Sequence, residues 1–198
     1  MGGLKEMMTG EPVHGRLLEI KTYPLDGGRV IVEGRLRDDR KVLGYNWDQT
    51  ERRPGVVHHM IVRFLLGGWP LTIQEAEAEM PGVPHELCTL TRESVEKVVG
   101  LQIVSGFSDE VRRRLGGIEG CTHLTHLIVT MGPAALHGFW TQLSRRPRPI
   151  PSSLDEFAGL DYLKNSCLLW REDGPLLEHL RRKIEEIKEE GRAQGGDL

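Results

Sequence analysis

Within the first eighty residues, several runs alternate apolar and polar positions with a period near two, the pattern of half-buried strands. Residues 16–23 and 29–37 form two such runs, joined at Asp26-Gly27-Gly28, where glycine supplies the positive φ of a tight hairpin turn. Residues 56–66 read as a third strand and 69–80 as a fourth, with Gly67-Gly68 as the turn between them. In the fourth, Leu71 and Ile73 alternate with polar neighbours, and Ala76 and Ala78 continue the pattern in small residues. The stretch between the second and third strands, residues 38–54, reads as a polar loop that Tyr45 and Trp47 anchor to the core. Four consecutive strands with short turns imply an antiparallel meander with one covered face.

After Pro81-Gly82-Val83-Pro84 the period lengthens to that of helices. Thr89 or Thr91 caps a helix reaching Val99, with Leu90, Val95, Val98 and Val99 as its apolar stripe and Gly100 as its stop. Ser108, followed by Asp109 and Glu110, starts a second helix that ends at Leu115-Gly116-Gly117. A third opens at Cys121 or Thr122, with Leu124, Leu127, Ile128, Met131 and Ala135 on one face and a kink or early end expected at Pro133. Residues 145–153 are a basic, proline-rich linker, 154–160 a helical turn and 166–170 a short strand. Asp173-Gly174-Pro175 starts a last helix with stripe Leu176, Leu177, Leu180, Ile184 and Ile187. The fold class is therefore α+β: an antiparallel sheet meander followed by helices packed on one face. One domain spans 13–180, and 181–198 form the end of a charged helix and a frayed tail.

Composition narrows the function. The 198 residues carry 26 Lys+Arg against 29 Asp+Glu, a net charge of −3, without the basic excess of a dedicated nucleic-acid binder. No apolar run reaches the ~20 residues of a membrane span. The first residues contain no signal-peptide apolar stretch, and three cysteines are too few for a secreted disulfide framework, so the chain reads as cytoplasmic with reduced thiols.

Reactive side chains concentrate at Gly120-Cys121-Thr122-His123-Leu124-Thr125-His126, at a predicted helix start. Unpaired N–H groups there stabilise a thiolate as a ligand or nucleophile. Cys88 stands in the matching place before the preceding helix. His58 and His59 begin the third strand and point to opposite faces, so at most one of them enters any given site. His123 shares one point with Cys121 in the first helical turn, and His126 is placed to support it. No Cys-x-x-Cys pair is present, so a metal needs ligands from distant segments. The competing readings are a Cys121–imidazole nucleophile and cysteines that are merely small buried hydrophobes, the role expected of Cys167.

The run Leu115-Gly116-Gly117-Ile118-Glu119-Gly120-Cys121-Thr122-His123-Leu124 resembles the signature of a bacterial family, domain-of-unknown-function family 2889. The likeness extends to His58 before an apolar strand, Cys88 after a proline-containing segment, and Cys167 before Asp173-Gly174-Pro175. More distantly, the order of ligand residue, strand, turn, strand, Cys before a helix and Cys opening another resembles the iron–sulfur scaffold proteins of the NifU N-terminal and SufE type. That resemblance implies a SufE/NifU-like core with His58 or His59, Cys88 and Cys121 around a zinc ion or a nascent cluster. This chain departs from them in having His58-His59 for a Cys and Gly120 for the His before the last Cys.

The expectation is a metal-binding accessory or scaffold-like protein, holding zinc or an iron–sulfur cluster through His58 or His59, Cys88 and Cys121, with His123 as a fourth ligand or a support behind the ligands, and working with a protein partner rather than nucleic acid or membrane. Two alternatives stay open: a thiol- or metal-dependent enzyme with Cys121 as nucleophile, and a non-catalytic interaction module.

Overall fold

The computed structural model describes residues 3–157 and 159–194, leaving aside the side chains of 191–194. The chain divides into two compact units, Met1–Leu143 and Ser144–Leu198.

The first unit is built on a four-stranded antiparallel sheet of order β1-β2-β5-β6. Its strands are β1 (His14–Pro24), β2 (Val30–Arg40), β5 (Gly55–Gly67) and β6 (Thr72–Gly82). Between β2 and β5 two short strands, β3 (Gly44–Tyr45) and β4 (Glu51–Arg52), pair as a separate hairpin. The meander expected from the alternation is thus the observed sheet; β1, β2 and β5 outrun their patterns, whereas β6 starts at Thr72 rather than at 69, because residues 68–71 form the turn. Gly27 and Gly28 both take positive φ at the first turn, as the β1–β2 hairpin demands. The 38–54 stretch does not anchor as expected: Trp47 is 96% exposed and Tyr45 is exposed too.

One face of the sheet is apolar and covered. Val30, Val32 and Leu36 of β2 alternate with outward residues, as do Met60, Val62, Phe64 and Leu66 of β5, and all seven are buried in one cluster. Helix α1 (Phe107–Leu115) and helix α2 (Thr122–Leu143) close this face. All five residues of the predicted α2 stripe, Leu124, Leu127, Ile128, Met131 and Ala135, are fully buried. The four large ones contribute roughly 1.5–3 kcal/mol each from removal of apolar surface. Gly34 lets α2 lie close across β2, since a Cβ there would come within 2.5 Å of Met131 Sδ. Pro133 neither ends nor shortens α2; it sits on the exposed side, where the buried face holds the helix on both sides of it.

The segment after β6 corrects the expected α-helix. Glu86–Val98 winds as 3-10 turns that begin three residues before Thr89, with His85 Nδ1 accepting from the Leu87 N–H. Three hydroxyls explain the tighter winding: Thr89, Thr91 and Ser94 each donate to the carbonyl three residues back, which competes with the α-helical pattern. At three residues per turn the lines of side chains change. Val95 and Val98 stay inward, whereas Leu90 and Val99 turn out to solvent. Gly100 follows with φ of +84°, as a stop requires.

In the second unit, α3 (Leu160–Leu163) and α4 (Pro175–Gln194) are the helices. Pro175 takes the first helical position as expected. Leu177 and Ile184 of the predicted stripe are buried, and Ile187 is exposed. Residues 166–170 form turns rather than a strand: the Asn165 N–H donates to the Trp170 carbonyl and the Trp170 N–H to the Cys167 carbonyl. Cys167 is exposed instead of packed in a core. The expected fraying from 191 onward falls partly outside the described residues, since α4 continues to Gln194 and 195–198 are not described.

Candidate metal centre

The covered face of the sheet changes character at one end. In β2 the inward positions run Val30, Val32, Gly34, Leu36 and then Asp38. Register places Arg16 of β1 and His58 of β5 directly opposite Asp38 on its two sides. Direct cross-strand partners share a face with Cβ atoms about 4.5–5.5 Å apart. An apolar row therefore ends in a polar one, Arg16–Asp38–His58. The register shifts just beyond it, between Asp38 and Asp39, a bulge of the kind that re-aims side chains.

Asp38 is the best-buried ionisable group of this cluster, 2% exposed. Arg16 Nε donates to its Oδ1 at 2.6 Å and Arg16 Nη2 to its Oδ2 at 2.7 Å. His58 Nδ1 lies 2.9 Å from Oδ2, and His14 Nε2 stands 3.7 Å from Oδ1. The two Arg16 bonds outweigh the desolvation that alone would raise the carboxyl, and with His58 they hold it at about 2. Asp38 is therefore an anion throughout the physiological range.

His123 comes to the same point from the other layer. It lies in the first turn of α2, where the Thr125 N–H donates to the Cys121 carbonyl and the Thr125 hydroxyl sits 2.9 Å from the Leu115 and Cys121 carbonyls. Those contacts tie the start of α2 to the end of α1. Gly120 lets this junction press against the 3-10 run, since a Cβ on it would meet Ser94 Oγ at 3.0 Å. The His123 ring packs on His58 with centroids 3.8 Å apart and planes inclined by 30°, and its Nε2 is 3.9 Å from Asp38 Oδ2. Burial foremost, then the nearby His58 and Arg16, push its pKa below the usual histidine value. His123 is therefore neutral at pH 7, with a lone pair on one ring nitrogen.

Asp38, His58 and His123 each offer one ligand atom, and these atoms lie within 4.8 Å of one another. Among the described residues this is the group that converges in that way, and it differs from the expected set. His58, not His59, is the histidine on the covered face; His59 pairs across from Gly82 on the other face. Cys121 is adjacent but on the far side of the ring: its Sγ is 4.0 Å from His123 Nδ1, while Nε2 is the atom that approaches Asp38. Thiol and carboxylate thus address opposite nitrogens of one imidazole. Cys88 is not brought in. Ser94, not Cys88, meets Gly120, and six residues of 3-10 rise between the two set them roughly 12 Å apart.

Asp38, Arg16 and His14 were not among the residues expected at the site. A signal for the first two was present in the phase of the alternation. Asp38 stands in register with Val30, Val32 and Leu36, Arg16 with Leu18 and Ile20, and His58 with Met60 and Val62. A charged residue at a core-phase position calls for a buried partner.

These elements define an α+β domain whose sheet end and helix start share an Asp–His–His cluster. The chain belongs to the DUF2889 family of proteins of unknown function, whose model matches residues 14–137. The match begins at the first residue of β1 and ends within α2, so it spans all the residues of the cluster. No curated protein and no solved structure matches the chain. Among the described residues no helix is long and apolar enough to cross a membrane.

Proposed function

We propose that this is a metal-binding protein and that its site is Asp38 Oδ2 with one ring nitrogen each from His58 and His123. The observation that carries the reading is the convergence of one buried carboxylate and two imidazoles within 4.8 Å. Donor chemistry supports it: Asp38 is ionised and His123 is neutral, the protonation states that a ligand needs. Ligands at about 2.0–2.1 Å from a tetrahedral ion stand roughly 3–3.5 Å apart. Asp38 Oδ2 is 2.9 Å from His58 Nδ1 and 3.9 Å from His123 Nε2, on either side of that spacing. An ion replaces the Asp38–His58 hydrogen bond and displaces its proton. Arg16 keeps its bonds to Oδ1 and Oδ2 and fixes the carboxylate, while its own charge moderates the affinity.

Two imidazoles and a carboxylate suit zinc or a similar divalent transition ion. Iron–sulfur clusters are held chiefly by thiolates, and the thiols of Cys88 and Cys121 lie outside the group. The proposal is therefore a mononuclear site. Three protein ligands leave one coordination position open, as in sites that bind a water or a partner's ligand rather than closed structural ones. This supports an accessory role, holding or presenting the ion, and equally a metal-activated water. Titration of chelator-treated protein with cobalt(II), followed by its visible absorption, tests the site. One saturable equivalent that vanishes in both Asp38→Asn and His123→Ala supports it, and unchanged binding in those variants overturns it.

A second reading rests on the Cys121–His123 contact of 4.0 Å. In it His123 is the base for a Cys121 thiol, with Asp38 orienting the ring from its other nitrogen. It predicts that iodoacetamide modifies Cys121 much faster than the exposed Cys167, and that His123→Ala removes the difference.

A further inference from the structure

The hairpin that joins β2 to β5 is built as a prong. Asn46 to Thr50 is tied by the Asn46 N–H to the Thr50 carbonyl, the Asn46 side chain to Thr50 Oγ1, and the Thr50 N–H and hydroxyl to Asp48 Oδ1. This ordered tip holds Trp47 96% exposed, with Leu43 and Tyr45 exposed beside it. None of these side chains belongs to the buried core of the described residues. Trp, Tyr and Arg are the residues that dominate protein interfaces, and here they occur together. Residues 40–53 carry Arg40, Lys41, Arg52 and Arg53 against Asp48 and Glu51, an excess of two positive charges. Among the described residues, neither the Arg52 nor the Arg53 side chain forms an ion pair or hydrogen bond.

The same unit offers a complement. On the sheet face away from α2 lies an open groove of about 340 Å³, with Ile31 and Leu65 as apolar lining and Glu75 and Glu77 among its walls. That is the small end of the range for occupied pockets, about 300–1,000 Å³. Arg63, which also lines it, is bonded to Glu33, Glu77 and Glu79. Glu33, which Arg35 also holds, and Glu77 and Glu79 thus gather on Arg63, and with Glu75 in the lining carboxylates outnumber guanidinium groups four to two, so the groove is acidic. The groove is not within reach of its own hairpin. Ile31 lies nine residues from Arg40 along β2, about 30 Å at strand rise, and the prong begins beyond Arg40 and leaves Trp47 in solvent.

We infer that the prong of one copy docks in the groove of a second copy, with Trp47 against Ile31 and Leu65 and the Arg52–Arg53 pair against Glu75 and Glu77. Apolar contact and opposite charge supply the complementarity. A single contact of this size is small beside a standard interface, so the association is weak and concentration-dependent. Reciprocal exchange closes at a dimer, and one-way exchange continues into longer assemblies. The inference does not depend on the metal site.

The experiment is sedimentation velocity of the full chain from low to several hundred micromolar, at low salt. Association that Trp47→Ser weakens at least tenfold is expected. Two charge-reversed chains give the sharper test, Arg52→Glu/Arg53→Glu and Glu75→Lys/Glu77→Lys. Each alone opposes like charges and stays monomeric, and an equimolar mixture regains association because prong and groove are again opposite. A monomeric wild type over the whole range overturns the inference. So does association that ignores Trp47→Ser, or a mixture of reversed chains that stays monomeric, in which case any exposed-prong partner is a different molecule.

Discussion

Replacing Asp38 by Asn keeps the shape of the side chain and removes the charge that Arg16, His58 and His14 surround. The magnitude follows from the folded-state carboxyl, held at about 2 against an ordinary 3.8. At about 1.36 kcal/mol per pH unit, that difference is worth roughly 2 kcal/mol of stability at neutral pH. Because the folded value is the lower one, the stabilisation is fully present above the unfolded value and is lost as pH falls through the folded one. Linkage places about half of it gone by pH 3. Urea denaturation of wild type and Asp38→Asn, with a chelator present, therefore gives a gap of roughly 2 kcal/mol at pH 7 that shrinks to about 1 kcal/mol at pH 3. Other carboxylates titrate in both proteins and cancel in the difference. A gap that is negligible at pH 7, or one that does not change with pH, refutes the claim that Asp38 is a buried, cation-held anion.

Three further outcomes follow from the same geometry. Cys121→Ser retains the ion and weakens it by roughly 10–100-fold, the range for an outer partner of a ligating histidine, whereas Cys88→Ser leaves affinity unchanged; isothermal titration with zinc measures both. Gly34→Ala brings a methyl group against Met131 and Leu127 and lowers stability by about 1–3 kcal/mol, read as a fall in urea midpoint. Zinc at a hundred times its dissociation constant raises wild-type stability by about 2.7 kcal/mol; thermal melts of His58→Ala and His123→Ala lose that increment.

Much of the fold was legible because its causes are local and periodic. Alternation located all four strands of the sheet, and the three-and-four spacing of Leu124, Leu127, Ile128, Met131 and Ala135 named the buried face of α2. What escaped depends on competition or on register. The 3-10 winding of Glu86–Val98 arises from three hydroxyls that each bond the carbonyl three residues back, and it moved Leu90 from the core to the surface. The exposure of Trp47 could not be read from its type, since an isolated aromatic in a polar stretch reads as an anchor. The site was half legible. His58 and His123 stood among the candidates, but cysteines drew attention by their chemistry, while Asp38 looked like the first residue of a loop. Only the pairing of β1, β2 and β5 shows that Arg16, Asp38 and His58 form one row, and that row, rather than the order of cysteines along the chain, decides which groups meet.

The most direct test of the central claim is metal content with ligand variants. The full chain, purified without chelator, is loaded with zinc, desalted and assayed by elemental analysis beside Asp38→Asn, His58→Ala, His123→Ala and the double variant Cys88→Ser/Cys121→Ser. About one zinc per chain is expected in the wild type, with loss in each of the three single variants and retention in the double cysteine variant. Zinc that survives the loss of Asp38 and His123 and disappears with the cysteines would contradict that claim and return the site to the thiols.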